Sequence, residues 1–279
     1  MGEPMAEHIH QAGFALTVCD PDPVVRQRFD AVGIATCAAL ADLKSVDAAL
    51  VIVGTDEQMH GVAKALRAAA VPPCYLVIMS TTAPAEIEAI QRQFAGCGTH
   101  VVDAPISGAV MAARRAELTV LVGAAKDDFD ALQSVFAAVG NAIVHCGETG
   151  AGQITKVVNN IIAISNQYVA AEAYRLAIEH GLEPDRLLPA LDLGSGRNFL
   201  SRGGADGMRE AYRAWSETPE DYYAINACSK KDLDLAISLF PDGVRHDAVL
   251  AIRSALETAR EPTRANWELV SRSRRSDRT

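Results

Sequence analysis

Lys156 and Asn160 lie one helical turn apart in the segment Gly150-Ala151-Gly152-Gln153-Ile154-Thr155-Lys156-Val157-Val158-Asn159-Asn160. That spacing puts both on one face of a helix. Val157, Val158, Ile161 and Ile162 make the rest of the stretch apolar. A lysine so flanked is partly desolvated, which lowers its pKa and lets it exchange a proton near neutrality. From spacing alone, the alternative is a surface lysine on a helix edge. A second candidate is Asp103-Ala104-Pro105-Ile106-Ser107-Gly108-Ala109. A rigid Pro, a hydroxyl and a Gly after a strand can form a turn whose N–H groups face an anion; a plain structural turn is the competing reading. A third is Ser229-Lys230-Lys231-Asp232-Leu233-Asp234-Leu235-Ala236, read as the charged start of an apolar-faced helix. Lysines there oppose the helix dipole, which hints that one answers to a ligand rather than to solvent. The fourth lies at the beginning. Gly2 opens an amphipathic helix (Met5, Ile9, Ala12), Gly13 ends it, and a strand Phe14–Cys19 finishes at Asp20. Helix, glycine, strand and terminal acid make the second half of a dinucleotide-binding βαβ unit, in which the acid hydrogen-bonds the adenosine ribose. An Asp favours NAD over NADP, because its charge repels a 2′-phosphate. An ordinary turn residue is the alternative for Asp20.

The elements that must position these residues follow from the hydrophobic pattern. Short apolar runs at Phe14–Cys19, Ala48–Val53, Tyr75–Met79, His100–Val102, Leu118–Val122 and Ala142–His145 alternate with helical stretches. Most read as strands buried on both faces, the parallel-sheet pattern. Asp22-Pro23 opens one helix, which Gly33 can end, and Thr82-Ala83-Pro84 opens another. The texture changes at the glycine-rich hinge Gly147–Gly152. Beyond it come helical periods only: Ile154–Ile178, ended by Gly181 and Pro184, then Asp185–Leu193, Gly207–Trp215, Cys228–Phe240 and Ala248–Ala259. The expected architecture is a doubly wound α/β domain over residues 1–147 and an all-α domain over 148–279. Ser271–Thr279 reads as a solvated, fraying end.

Composition bounds the function. The chain has 279 residues, 49% of them hydrophobic and 22% charged, which are globular values. A formal charge of −9 argues against nucleic acid as a partner. It also means that local cations at Lys156 and Lys231 must supply any attraction for an anionic substrate. No apolar run is long enough for a membrane span, and Met1–His10 is not a signal peptide. The six cysteines are widely spaced and read as small buried apolar residues. No metal-ligand spacing is present, and the expected compartment is the cytoplasm.

Taken together, the four segments resemble the β-hydroxyacid dehydrogenase family, the 3-hydroxyisobutyrate dehydrogenase and tartronate semialdehyde reductase type. Asp103 to Ala109 matches its D-A-P-V-S-G-G motif, with Ala109 in place of the last glycine. Gly150 to Asn160 matches G-x-G-x-x-x-K-x-x-N-N, and Lys231 to Ala236 matches K-D-L-x-L-A. Ser80, Thr81 and Pro84 match a cofactor-side S-T-x-x-P motif. The resemblance implies an NAD(P)-dependent oxidoreductase, with NAD expected and NADP possible, acting on a small carboxylate substrate. Lys156 is then the acid/base. Ser107 and Gly108 bind the substrate carboxylate, and Asn160 holds the substrate or the lysine. Lys231 stands near cofactor and substrate, with Gly2, Asp20 and Thr81 on the cofactor. It further implies a 6-phosphogluconate dehydrogenase-like helical domain that pairs subunits into a homodimer or homotetramer. Arg197, in a substrate-proximal turn, is either a reader of a second carboxylate or a surface arginine.

One departure is large. The family's fingerprint is G-x-G-x-M-G after a first strand, and Met1-Gly2 aligns with its last two residues. The central first strand and two glycines are missing, so the second and fourth strands of the expected order lack the strand that joins them. Their backbone groups are expected to be buried without partners. The preferred explanation is a start that lies upstream, giving an active dehydrogenase. A true truncation would instead give a non-catalytic oligomeric binding protein. An imine-reductase-like enzyme is the enzymatic alternative, and Lys156 speaks against it.

Overall fold

The computed structural model describes residues 1–216 and 218–272. It opens with α1 (Gly2–Gln11), β1 (Thr17–Cys19), α2 (Pro23–Ala31) and β2 (Ala35–Cys37). Met5 and Ile9 give α1 one buried face. Asp22 caps α2 through the Val24 N–H, at 2.8 Å, ahead of Pro23. β1 and β2 pair in parallel as a sheet of their own, with Thr17 opposite Ala35 and Cys19 opposite Cys37. β2 had no counterpart among the expected strands.

The larger sheet is built from β3 (Ala48–Val51), β4 (Tyr75–Ile78), β5 (His100–Asp103), β6 (Ile106–Ser107), β7 (Leu118–Gly123) and β8 (Gly140–Gly147). Its order is β3-β4-β5-β7-β6, with β8 paired to β7. β3, β4 and β5 run parallel, as do β7 and β8. β7 is antiparallel to β5 and to β6, so the sheet is mixed where a parallel one was expected. The chain reverses direction after β6, over residues 108–117, before β7 begins. Four helices connect these strands: α3 (Asp56–Arg67), α4 (Pro84–Phe94), α5 (Ala109–Arg114) and α6 (Lys126–Ala137). Leu76, Val77, Ile78, Val102, Val120 and Val122 are fully buried. β8 departs from the expected buried pattern, with Val144 44% exposed.

The strands on either side of the expected central strand lie in separate sheets. β1 pairs with β2 alone and β3 with β4 alone, so the two sheets do not join. The flanking strands were expected to bury unpaired backbone. Instead Thr17 is exposed, and Val18, Cys19 and Ala48 to Leu50 are half-buried, which leaves water at their edges. The cysteines also differ from expectation. Cys19, Cys37, Cys97 and Cys146 are half-buried, Cys74 and Cys228 are exposed, and all six are free. Five stand at or beside strand ends and turns, and Cys228 lies on the exposed face of α10.

Contacts divide the chain into two compact units, Met1–Lys156 and Val157–Thr279, the boundary falling inside α7 (Ala151–Glu179). The second unit continues with α8 (Pro184–Leu193), α9 (Gly204–Ser216), α10 (Pro219–Ser238), α11 (Asp247–Thr258) and α12 (Arg260–Arg272). Its core packs Tyr174, Met208, Tyr212 and Trp267, and a second cluster joins Ile164, Tyr168, Leu233 and Leu256. α12 was not expected, because its many charges mask two buried anchors, Trp267 and Val270. α10 starts earlier than expected: Thr218 and Asp221 form a capping box around Pro219. Lys230 and Lys231 therefore lie well inside the helix, and the dipole argument for a ligand there falls. The expected fraying tail ends α12 with Ser271 and Arg272; from residue 273 on it lies outside the described residues. Among the described residues, no helix is long and apolar enough to cross a membrane.

Candidate active site

The strongest geometry gathers at the start of α7. Asp103 ends β5 and is fully buried. Its carboxylate accepts the N–H of Gly150 and, at 2.7 Å, that of Gln153. Burial pushes the Asp103 carboxyl up to about 6, although those N–H donors pull the other way. The approach is close enough to demand glycine. A Cβ on Gly152 would stand 2.4 Å from the Leu121 carbonyl oxygen, and one on Gly123 2.3 Å from the Asp103 carboxylate.

Gln153, itself buried, spends its side chain on the loop after β4. Its Oε1 accepts the Thr82 N–H at 3.1 Å, and its Nε2 donates to the Ser80 carbonyl at 2.9 Å. The amide thus brackets Thr81, which is half-buried between them. The Thr82 hydroxyl donates to Asp56 at 2.7 Å, and the Ser80 hydroxyl exchanges bonds with the Val53 backbone. One turn beyond Gln153, Lys156 is half-buried, with Val157 buried beside it and Val158 exposed.

In the second unit, Asn160 on α7 is buried and donates to Asp232 on α10 at 2.7 Å. The Asn159 amide donates to the Asn160 oxygen at 3.1 Å, and the Lys231 ammonium stands 3.6 Å from Asp232. Asp232 thus holds two of the expected site residues. Gln153, Asp103 and Asp232 were given no role from sequence. The available signal was a polar side chain inside a tight apolar or glycine-rich run, since such groups are bonded when buried.

Ser107 ends β6, and Gly108 follows it as the N-cap of α5. Ser107 pairs in register with Thr119, and Gly108 has φ +126°, where a Cβ would meet the Ala112 Cβ at 2.5 Å. Ala109, in the place of the family's last glycine, has φ +58°, a left-handed conformation that an L-residue adopts at some cost. Arg197 pairs with Asp192 at 3.3 Å and is 62% exposed, which favours the surface reading.

The three residues expected to contact a dinucleotide lie in the first unit. Asp20 follows the C-terminal end of β1, its carboxylate turned onto the Asp22 N–H at 2.8 Å and its carbonyl accepting Arg26 at 2.6 Å. Thr81 sits at the C-terminal end of β4, the side of a parallel sheet where such ligands bind. Gly2, the third, is the first residue of α1, whose N-cap Met1 gives no side-chain bond. Among the described residues, no group of three or more His, Cys, Asp or Glu is placed to hold a metal ion.

Comparison with known proteins agrees with these features. Residues 1–147 match the NAD binding domain of 6-phosphogluconate dehydrogenase. Residues 150–243 match the NAD-binding domain of NADP-dependent 3-hydroxyisobutyrate dehydrogenase. Human mitochondrial 3-hydroxyisobutyrate dehydrogenase is 31% identical over 209 residues, covering 72% of this chain and 61% of that protein. The chain thus aligns with less than two thirds of that relative's length. L-threonate dehydrogenase of Cupriavidus necator is 33% identical over 205 residues, covering 72% and 69%. Among solved structures, 3-hydroxyisobutyrate dehydrogenase of Mycobacterium tuberculosis with L-serine superposes at a TM-score of 0.75. It is 22% identical and covers 97% of this chain and 95% of that one, a likeness of fold. The chain belongs to the β-hydroxyacid dehydrogenase family, with an NAD(P)-binding domain at its start.

Proposed function

We propose that this protein is an NAD(P)-dependent oxidoreductase that interconverts a small β-hydroxyacid with its semialdehyde or keto form, with Lys156 as acid/base. The observation that carries the reading is the Gln153 bridge. It ties the loop around Thr81 to the helix turn that presents Lys156. A bound nicotinamide would take up or return the hydride. In the oxidation direction the neutral Lys156 amine takes the proton of the substrate hydroxyl; in reduction its ammonium returns that proton to the forming alkoxide. The N–H groups of the Ser107–Gly108 turn and the Ser107 hydroxyl hold the substrate carboxylate. Asn160, steadied by Asp232, holds the substrate or the lysine, and Lys231 adds positive charge. Asp20 takes the adenosine ribose, Thr81 the nicotinamide side and Gly2 the phosphates, with NAD preferred over NADP because of Asp20.

Lys156→Ala is expected to lower turnover about 10²–10⁴-fold, the usual worth of a positioned acid/base, with nucleotide affinity unchanged. Retained turnover across a panel of hydroxyacids and semialdehydes would remove Lys156 from the role. The separation of β1 from β3 favours a second reading, a non-catalytic oligomeric binding protein. Calorimetry of the 279-residue chain with NADH separates the two: micromolar binding refutes the second reading, and no binding supports it.

We also propose a homo-oligomer formed through α7. Ile154, Val158, Ile162, Val169 and Leu176 form an apolar stripe along it, each 47–61% exposed. Sedimentation that shows a monomer at micromolar concentration would sink this. The free state of the six cysteines supports a reducing, cytoplasmic compartment.

A further inference from the structure

Two of the free cysteines face each other. Cys19 ends β1 and Cys37 ends β2, and they are register partners in a parallel pair. Register partners point to the same side of a sheet, and neighbouring strands lie about 4.8 Å apart. That separation falls within the Cα···Cα range of about 4.4–6.8 Å that a disulfide spans. Cys37 is close enough to help raise the Cys19 thiol above its ordinary value, and both are half-buried, so a small oxidant can reach them. Among the described residues, no other strand pairs with β1 or β2.

We propose that Cys19 and Cys37 form a two-electron redox site, a dithiol that a small-molecule disulfide such as glutathione disulfide converts to a cross-strand disulfide. The Cys37 thiolate attacks one sulfur of glutathione disulfide, forming a mixed disulfide and expelling one glutathione thiolate. Cys19 then gives its proton to solvent and attacks the Cys37 sulfur, expelling the second glutathione. Two protein thiols are oxidised, one glutathione disulfide is reduced to two thiols, and the sulfur balance closes. The order follows from the surroundings. Burial, the Cys37 thiol and the charges of Asp20 and Asp42 push the Cys19 thiol up to about 12, so it keeps its proton and attacks second. The link would fasten α2 between its two ends. It would also fix the strand end that carries Asp20, whose N–H donates to the Cys37 carbonyl at 3.2 Å.

The test is peptide mapping of the full chain after incubation with graded glutathione and glutathione disulfide, followed by trypsin. Cleavage at Arg26, Arg28 and Lys44 separates Met1–Arg26, which carries Cys19, from Phe29–Lys44, which carries Cys37. The expected product is the two peptides joined and two hydrogens lighter than their sum, released by dithiothreitol. In Cys19→Ser the expected product is a glutathione adduct trapped on Cys37; in Cys37→Ser, Cys19 remains a thiol. Separate adducts or free thiols on both cysteines of the unaltered chain, with no joined peptide, would overturn the proposal. The readout is covalent, so it stands or falls independently of whether the chain binds nucleotide or turns over a hydroxyacid.

Discussion

The two sheets of the first unit differ both in residue and in cover: β1 and β2 read Thr-Val-Cys and Ala-Thr-Cys, while β4 reads Tyr-Leu-Val-Ile. β1 and β2 are short, and each leaves its first residue exposed and the next two half-buried. β4 buries Leu76, Val77 and Ile78 completely, with β3 on one side and β5 on the other. A two-stranded sheet alone is marginal in water. This one leans on Phe29 and Ile34, which are 3% and 2% exposed. A strand is fully buried here only where apolar residues coincide with neighbours on both edges, as in β4.

The contrast can be broken most directly by truncation. Ile78→Ala in β4 is expected to cost about 2–5 kcal/mol in urea unfolding, and Val18→Ala in β1 under about 1 kcal/mol. Equal losses would erase the distinction. Next in size is the pH dependence set by Asp103, whose native pKa stands near 6 against an ordinary 3.8. A raised carboxyl binds its proton more tightly in the native state, so its stabilisation is complete below about pH 4. It is lost as pH rises through 6, by about 3 kcal/mol at 1.36 kcal/mol per unit. Asp103→Asn is expected to flatten that part of the stability curve; an unchanged slope would assign it to another group. Smaller still is the loss of the buried bridge. Gln153→Ala leaves the Thr82 N–H without its acceptor, at about 1–3 kcal/mol. Asp20→Ala, at the half-buried end of β1, is expected to cost less than about 1 kcal/mol by the same measurement. A further difference is local. The amides of Val18 and Thr36 are expected to exchange hydrogen faster, through cheaper local openings, than that of Val77.

Much of this was legible in the chain. The apolar runs placed β1, β3, β4, β5, β7 and β8, and the caps Asp22-Pro23 and Gly181 marked helix ends at their positions. β2 and β6 escaped because three and two residues carry no period of their own; each becomes a strand when a partner arrives. The Lys156–Asn160 face could be read from one helix. The groups that hold it could not, because Gln153 bonds to residues 71 and 73 positions away, and Asn160 to one 72 positions away.

Sequence by itself determined the alternation of strand and helix, the change to an all-helical second half, the family and the residue types at the site. These depend on local periodicity and on motifs whose spacing survives without a fold. Tertiary structure alone decided that the larger sheet reverses direction at β7, that Asp103 and Gln153 lock the start of α7, and that Cys19 lies in register with Cys37. Each of these depends on which distant segments share an edge or a buried space, and only packing specifies that.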